Sequence, residues 1–437
     1  MGDRSRSPPA GGCARAAGSL SWRADRDCGA LAGEFYLMTS TFDFNPFDEA
    51  TRRDPYPLYA RARREQPVFK HAAFPVTSVF RFADCQAILK DPATWSSVFP
   101  PPPNLPADED FIPSMIGTDP PEHTRLRSLV SQAFTPRIIR KLEPRLVEVA
   151  HELLDEAMRD GSVDLVEALA YPLPVIAIAE IIGIPTEDRA LFKVWSDAAV
   201  ENLGSGLLVP PTDEQIQKQR DVIQQMRAYF RPLAEQRRVE PREDLLSGLV
   251  VAEEEGSKLE FNELLQMLIL LLVAGNETTT TLIGSAVLAL LDHPEQLERL
   301  RADRALLPTA VEEVMRFGSP VQLDPRRATR DLEIDGVKID ADQIVINWLG
   351  SANRDEAVFS APEVFDIGRK DNRHLGFGFG QHFCLGANLA RLEARVALGA
   401  LLDHTRGFRR IDDEPLPLHP SIVFRGVTSL PLELDWI

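Results

Sequence analysis

Cysteine is scarce in this 437-residue chain: Cys13, Cys28, Cys85 and Cys384 are widely spaced and form no Cys-x-x-Cys pair. That spacing offers neither a disulfide framework nor a zinc site built on paired ligands, and it suits a reducing compartment such as the cytoplasm. Long apolar runs are also missing. The longest, 267–274, falls far below the ~20 residues of a bilayer span, so no membrane segment is expected. Basic residues are in deficit, with 48 Lys and Arg against 66 Asp and Glu and a net charge of -18. Such a balance argues against nucleic acid as a partner. No Gly/Ser linker, low-complexity tract or internal repeat divides the chain. With 44% hydrophobic and 26% charged residues, one large globular unit is expected. Residues 1–37 mix Arg, Gly, Pro and Ala without an apolar stretch that would read as a signal peptide. They are expected to be a disordered extension, with a domain spanning 38–437.

Apolar periodicity predicts helices over 54–66, 84–90, 138–160, 216–240, 260–291, 294–301 and 308–317. Strand signals are few: 68–82 in part, 332–339, 343–347, and a C-terminal pair near 422–424 and 430–434. The fold class is mainly α with a small β portion. Six prolines between Pro100 and Pro113 exclude regular structure there. A loop of that kind inside a domain is usually functional or disordered.

One cysteine stands apart. Cys384 lies in Phe377-Gly378-Phe379-Gly380-Gln381-His382-Phe383-Cys384-Leu385-Gly386, at the mouth of a helix whose apolar positions are Leu385, Leu389, Leu392 and Val396. Glycines at this density let a flat ligand approach the backbone and turn N–H groups toward sulfur. The start of a helix favours thiolate over thiol. A second unusual run is Ala274-Gly275-Asn276-Glu277-Thr278-Thr279-Thr280-Thr281, inside a helix otherwise apolar on almost every side. A carboxylate and four threonines weaken such a helix unless they line a wet pocket.

The cysteine run resembles the haem-binding signature of the cytochrome P-450 family, Phe-Gly-x-Gly-x-His/Arg-x-Cys-x-Gly, with every specified position filled. The resemblance implies a cytochrome P-450 fold of one large domain. It implies haem b (iron protoporphyrin IX) with Cys384 as the axial thiolate and metal ligand, and with Phe377 and Gly386 in the cofactor loop. His382 would meet a haem propionate. Residues 274–279 resemble the family's oxygen-activation motif, Ala/Gly-Gly-x-Asp/Glu-Thr. Gly275 would leave room for O2, Thr278 would supply a hydroxyl at the reacting oxygen, and Glu277 would relay protons from solvent. Glu313 and Arg316 match the Glu-x-x-Arg motif. Val364 occupies the place where a further arginine is often found, leaving that network in doubt, with Arg354 as a candidate substitute. His123, Arg127 and Arg326 match positions that clamp the propionates together with His382. The opening at Met38, Thr39-Ser40-Thr41-Phe42-Asp43-Phe44-Asn45-Pro46, is similar to that of soluble bacterial members, so 1–37 could also reflect a misassigned start.

By the same resemblance, 95–117 is a lid over the substrate. Pocket contacts are expected from Met115, Ile116, Leu271, Ala274, Val321, Leu323, Val423 and Phe424. These suit an apolar small molecule: a terpenoid, steroid, fatty acid or macrolide-like natural product. No flavin or iron–sulfur segment is visible, so a ferredoxin and its reductase are the expected electron donors. Arg137, Arg140, Lys141, Arg369, Lys370 and Arg373 would form the basic docking patch of a bacterial, cytoplasmic, monomeric monooxygenase. The rival readings are a family member that performs C–C coupling or dehydration, which the intact Glu277–Thr278 pair disfavours, and a haem-binding sensor. A sensor's turnover would be indifferent to Thr278→Ala.

Overall fold

The computed structural model describes residues 42–437 apart from 73–74, 100–113, 159–161, 201–210 and 255–258. The 1–37 extension and most of the expected lid therefore lie outside the described residues. Two short helices, α1 (Glu49–Arg53) and α2 (Tyr56–Glu65), lead into strands β1 (Val68–Lys70) and β2 (Val76–Val79), then α3 (Phe82–Lys90) and β3 (Trp95–Ser96). The helical part follows with α4 (Glu122–Ser131), α5 (Pro136–Ala157), strand β4 (Ser162–Asp164), α6 (Pro172–Ile182), α7 (Arg189–Val200), α8 (Asp213–Val239), α9 (Leu245–Glu254) and α10 (Phe261–Asp292). Next come α11 (Pro294–Ala302), α12 (Leu307–Phe317), β5 (Leu323–Ala328), β6 (Leu332–Ile334), β7 (Val337–Ile339), β8 (Ile344–Trp348) and α13 (Leu349–Ala352). The chain closes with α14 (Ala387–His404), β9 (Thr405–Arg410) and β10 (Pro431–Trp436).

Local chemistry sets the helix ends. The Thr135 hydroxyl accepts the Ile138 N–H and Pro136 occupies the first turn of α5, where its missing donor costs nothing. Reciprocal capping boxes open α8 (Thr212 with Gln215) and α10 (Glu260 with Glu263). Helix α6 stops where Gly183 turns left-handed, φ 88°.

Helix α10 organises the main core, packing against α6, α7, α8, α12 and α14. By length and composition it is the one helix among the described residues that could cross a membrane, although no apolar run in the sequence suggested that reach. Its most apolar stretch is 72% buried inside the protein, which marks a core helix wrapped by its neighbours.

The strands form a five-stranded sheet in the order β1-β2-β8-β5-β3, a three-stranded sheet β4-β10-β9, and the β6-β7 hairpin. The strand expected at 422–424 reduces to a single bridge between Phe424 and Val321. The turn beside it is pinned to α10: a Cβ on Gly426 would meet Thr281 Cγ2 at 2.6 Å. Strand β5 escapes a pattern reading because Asp324, Pro325, Arg326 and Arg327 look like loop. Pro325 is tolerated because β3 pairs only with Arg327 and Ala328, leaving β5 an edge at Pro325.

Candidate active site

Cys384 sits on the loop before α14, and that loop is shaped by two left-handed glycines. Gly378 and Gly380 both have φ 70°, and the Cys384 N–H donates to the Phe377 carbonyl at 2.8 Å. Gly380 is required twice over, since a Cβ there would also stand 2.4 Å from the Leu89 carbonyl oxygen at the end of α3. A Cβ on Gly386 would meet nothing within 4 Å. Gly380→Ala is therefore expected to lower stability by ~1–3 kcal/mol, and Gly386→Ala by much less. The two urea midpoints check this; equal midpoints would refute it.

Helix α12 holds the loop from behind. Glu312 Oε1 accepts Arg391 Nε at 2.6 Å, and Glu312 Oε2 accepts Arg391 Nη2 at 2.9 Å and lies 3.2 Å from His374 Nε2. Burial works against the Glu312 carboxylate, but these two partners outweigh it and hold its pKa at about 2. His374 Nδ1 accepts the Gly376 N–H at 3.1 Å, so its proton is on Nε2, facing Glu312. Arg391 lies 4.3 Å from the centre of the Phe377 ring.

One position further, Glu313 corrects the expectation about Val364. Its carboxylate pairs with Arg316 (Nε–Oε2 2.9 Å, Nη2–Oε1 2.8 Å) and with Arg369 (Nε–Oε2 3.0 Å). The second arginine is therefore Arg369, which is withdrawn from the basic surface patch. Val364 contributes its backbone: its carbonyl accepts from Arg316 and Arg369, while its side chain is 53% exposed. Arg354 does not substitute. It lies between the rings of Tyr56 and Phe317 and donates to the Phe317 carbonyl. Arg137, Arg140, Lys141, Lys370 and Arg373 remain exposed, with Arg373 paired to Asp371.

Two histidines and two arginines cluster around the loop. The rings of His123, on α4, and His382 lie 4.1 Å apart. Burial, with His123 and Arg326 adding to it, drives the His382 pKa to about 3. His123 is lowered by burial and then by Arg127. The Nε2 atoms of both histidines are buried without a hydrogen-bond partner. Arg127 donates to the carbonyls of Gln381 and Phe383 at 3.0 and 2.6 Å. Arg326, expected to meet a haem propionate, pairs with Asp324 on its own strand. Burial pushes the Cys384 thiol up, against the pull of the Gly386 N–H, Arg127 and Arg391. A coordinating metal offsets that burial, since it deprotonates its thiol ligand outright.

Helix α10 has one open line: Leu270, Ala274 and Thr278 are less buried than their neighbours. Leu271, expected in the pocket, is packed in the main core, and Leu270 shares the open line in its place. A Cβ on Gly275 would point at Ile178 of α6, 3.4 Å from its Cγ1. The Thr278 hydroxyl donates to the Ala274 carbonyl at 2.8 Å. Glu277 is buried, with His419 Nε2 at 3.3 Å from Oε2 and the Asp197 side chain hydrogen-bonded to it. Neither His419 nor Asp197 was identifiable from sequence; both come from distant segments and carry no motif.

Val321, Leu323, Val423 and Phe424 join one apolar cluster, and Val273 of α10 bridges it to the main core. Leu323 is fully packed within that cluster, Met115 belongs to the main core, and Ile116 is 61% exposed. Glu393, which no motif flagged, is buried on α14 beside Thr279.

Comparison with known proteins agrees with this geometry. The cytochrome P450 family model matches residues 207–426. The chain is 38% identical over 414 residues to the polyketide biosynthesis cytochrome P450 PksS of Bacillus subtilis (strain 168), covering 90% of this chain and 98% of that protein. It is 39% identical over 404 residues to the vitamin D(3) 25-hydroxylase of Pseudonocardia autotrophica, covering 91% and 98%. The crystal structure of CYP109E1 from Bacillus megaterium in complex with testosterone superposes with a TM-score of 0.82 at 36% identity, covering 89% of this chain and all of that one. The chain belongs to the cytochrome P450 family. It is a haem-dependent monooxygenase, an oxidoreductase that relies on redox partners for electrons.

The residues present fit haem. Two buried imidazole nitrogens lack partners beside Arg127 and Arg326, the arrangement that carboxylate groups would satisfy. A single cysteine receives the Gly386 N–H on a glycine loop that lets a planar group approach.

Proposed function

We propose that the protein hydroxylates an apolar, steroid-like or polyketide-derived molecule, drawing electrons from a ferredoxin and its reductase as a cytoplasmic monomer. The observation that carries this reading is the buried Glu277 next to Thr278 on the open line of α10. Haem, when bound, supplies the redox centre at which dioxygen is activated and one oxygen atom passes to a C–H bond. Cys384 would ligate the iron. His123, Arg127, Arg326 and His382 would hold the propionates, with Arg326 exchanging its Asp324 partner for one of them. The chain's own work is then orientation and proton supply. The Thr278 hydroxyl, already donating to the Ala274 carbonyl, has lone pairs free to accept, and rotation lets it donate to a reacting oxygen. Glu277 exchanges protons with the solvent side through Asp197 and passes them toward that hydroxyl.

The pocket wall supports the substrate class. Ala274, Val321, Val423 and Phe424, with Val273, are the residues expected to wall it, and all are apolar. Named relatives act in polyketide biosynthesis and on vitamin D(3), and one solved neighbour holds testosterone.

The test uses the purified holoenzyme. Reduced and treated with carbon monoxide, it should absorb at the wavelength diagnostic of thiolate ligation. Steroids or macrolides should displace water and shift the ferric spectrum, and a ferredoxin–reductase pair should then yield hydroxylated product. Thr278→Ala should lower product per electron by about ten-fold, below the ~10²-fold of a complete acid–base group, with hydrogen peroxide making up the balance. Unchanged coupling would sink the acid–alcohol reading. Turnover with NAD(P)H alone would sink the redox-partner reading.

A further inference from the structure

Glu277 and His419 are both almost completely buried, each side chain 8% exposed, with His419 Nε2 at 3.3 Å from Glu277 Oε2. A histidine could meet a carboxylate there as a mobile cation or as a fixed neutral donor. The ring's other nitrogen decides between them: Nδ1 lies 3.1 Å from the Ser421 backbone N–H and accepts it. A nitrogen that accepts an N–H must present its lone pair, so the ring proton sits on Nε2, facing Glu277.

The segment carrying His419 is clamped to α10. Leu418 and Val427 form a bridge, the His419 N–H donates to the Gly426 carbonyl at 3.0 Å, and Gly426 abuts Thr281. Ser285 donates to the Arg425 carbonyl at 3.5 Å, and Phe424 meets the imidazole edge-on, ring centres 5.0 Å apart. Arg52 donates to the His419 carbonyl, so the backbone on both sides of the ring is held.

The competing partners of Glu277 are on α7. Asp197 hydrogen-bonds it, and Lys193 pairs with Asp197 at 3.2 Å. Both α7 side chains are about half exposed, so that side meets solvent while the His419 side is buried. The outer face of His419 borders a cavity of about 40 Å³ lined also by Arg52, Tyr59, Gln322 and Arg425, which is room for about one water.

We propose that His419 is a positioning residue for proton delivery. Its Nε2 stands 3.3 Å from one oxygen of Glu277 and orients the carboxylate, leaving the other oxygen to exchange protons between Asp197 and the Thr278 side. This rests on the monooxygenase reading above. Without that donor, the carboxylate is free to turn toward Lys193 and solvent, and protons arrive at the wrong time.

Two substitutions separate donor from bulk. His419→Phe keeps the volume and the contact with Phe424 but removes the donor; His419→Gln restores an N–H donor near the Nε2 position. In holoenzyme with a ferredoxin–reductase pair, His419→Phe should lose about five- to ten-fold in product per electron, a fraction of the ~10²-fold of a whole acid–base group. His419→Gln should recover to within about two-fold of wild type. A purely structural role would move neither ratio once haem content is matched. Independently of turnover, nitrogen-15 NMR of the ferrous, carbon-monoxide-bound enzyme should show the Nε2–H tautomer, with an Nε2 proton whose shift responds to Glu277→Gln. An Nδ1–H tautomer, a proton indifferent to Glu277→Gln, or full coupling in His419→Phe overturns the proposal. If wild type forms no product, the monooxygenase reading fails, and the tautomer measurement alone decides the His419 contact.

Discussion

Glu313→Gln should cost the folded protein ~3–5 kcal/mol, the penalty for removing one partner of a buried ion pair. Arg316 and Glu313 are both fully buried, and Arg369 shares the same carboxylate. The carboxylate also accepts the Asp366 N–H at 3.0 Å and Asn372 Nδ2 at 3.2 Å. A neutral amide keeps the shape but leaves two guanidinium groups in a dry site with no counter-charge. Against a typical total of ~5–15 kcal/mol, that loss removes a large fraction of the stability. Because the cluster braces the segment leading into the Cys384 loop, haem retention should fall with it. Urea unfolding of wild type and Glu313→Gln checks the first effect, and haem content after gel filtration the second. Arg369→Gln should follow the same direction, whereas the exposed neighbour Lys370→Gln should match wild type. Equal effects at 369 and 370 would show that Arg369 is no part of the network.

A second large effect concerns Glu393. Burial inside α14 pushes its carboxyl up to about 8, with Thr279 pulling weakly the other way, from an ordinary value of 4.5. One of its oxygens has no partner. Because the folded pKa lies above the unfolded one, the folded state holds a proton that the unfolded state has released. The stabilisation is complete below about pH 4.5 and is lost as pH rises toward about 8. The slope in that window is ~1.4 kcal/mol per pH unit. Glu393→Gln, neutral at every pH, should match wild type near the acid end and exceed it near the alkaline end. Unfolding free energies measured at intervals across the window test this. Parallel curves for the two proteins would mean that Glu393 is not held protonated.

The pattern of these effects marks what could be read before folding. The loop around Cys384 was legible because its requirements are local: left-handed backbone at Gly378 and Gly380, a helix beginning at Ala387, and one sulfur. Helix α10 was legible because its apolar length and its interruption at Glu277 and Thr278 both lie within one segment. Arg369 was not. In sequence it belongs to a run of basic residues, and only the packing of α12 against residues 366–372 turns it from surface charge into the partner of Glu313. Leu271 and Leu270 were indistinguishable by composition, since a helix buried on almost every side gives no periodicity to choose between adjacent leucines. Strand β5 was hidden because its pattern reads as a turn.

The amino-acid order by itself determined the family, the cysteine loop, the acid–alcohol run and the longest helices, α5, α8 and α10, because each depends on residues within a few positions of one another. Only the tertiary structure decided which arginine completes the Glu313 cluster, which line of α10 is left open, and that His419 and Asp197 converge on Glu277. Those contacts join segments separated by tens to more than a hundred residues. No local propensity encodes them; they exist because burying α10 brings its polar interruption against whatever the surrounding elements present.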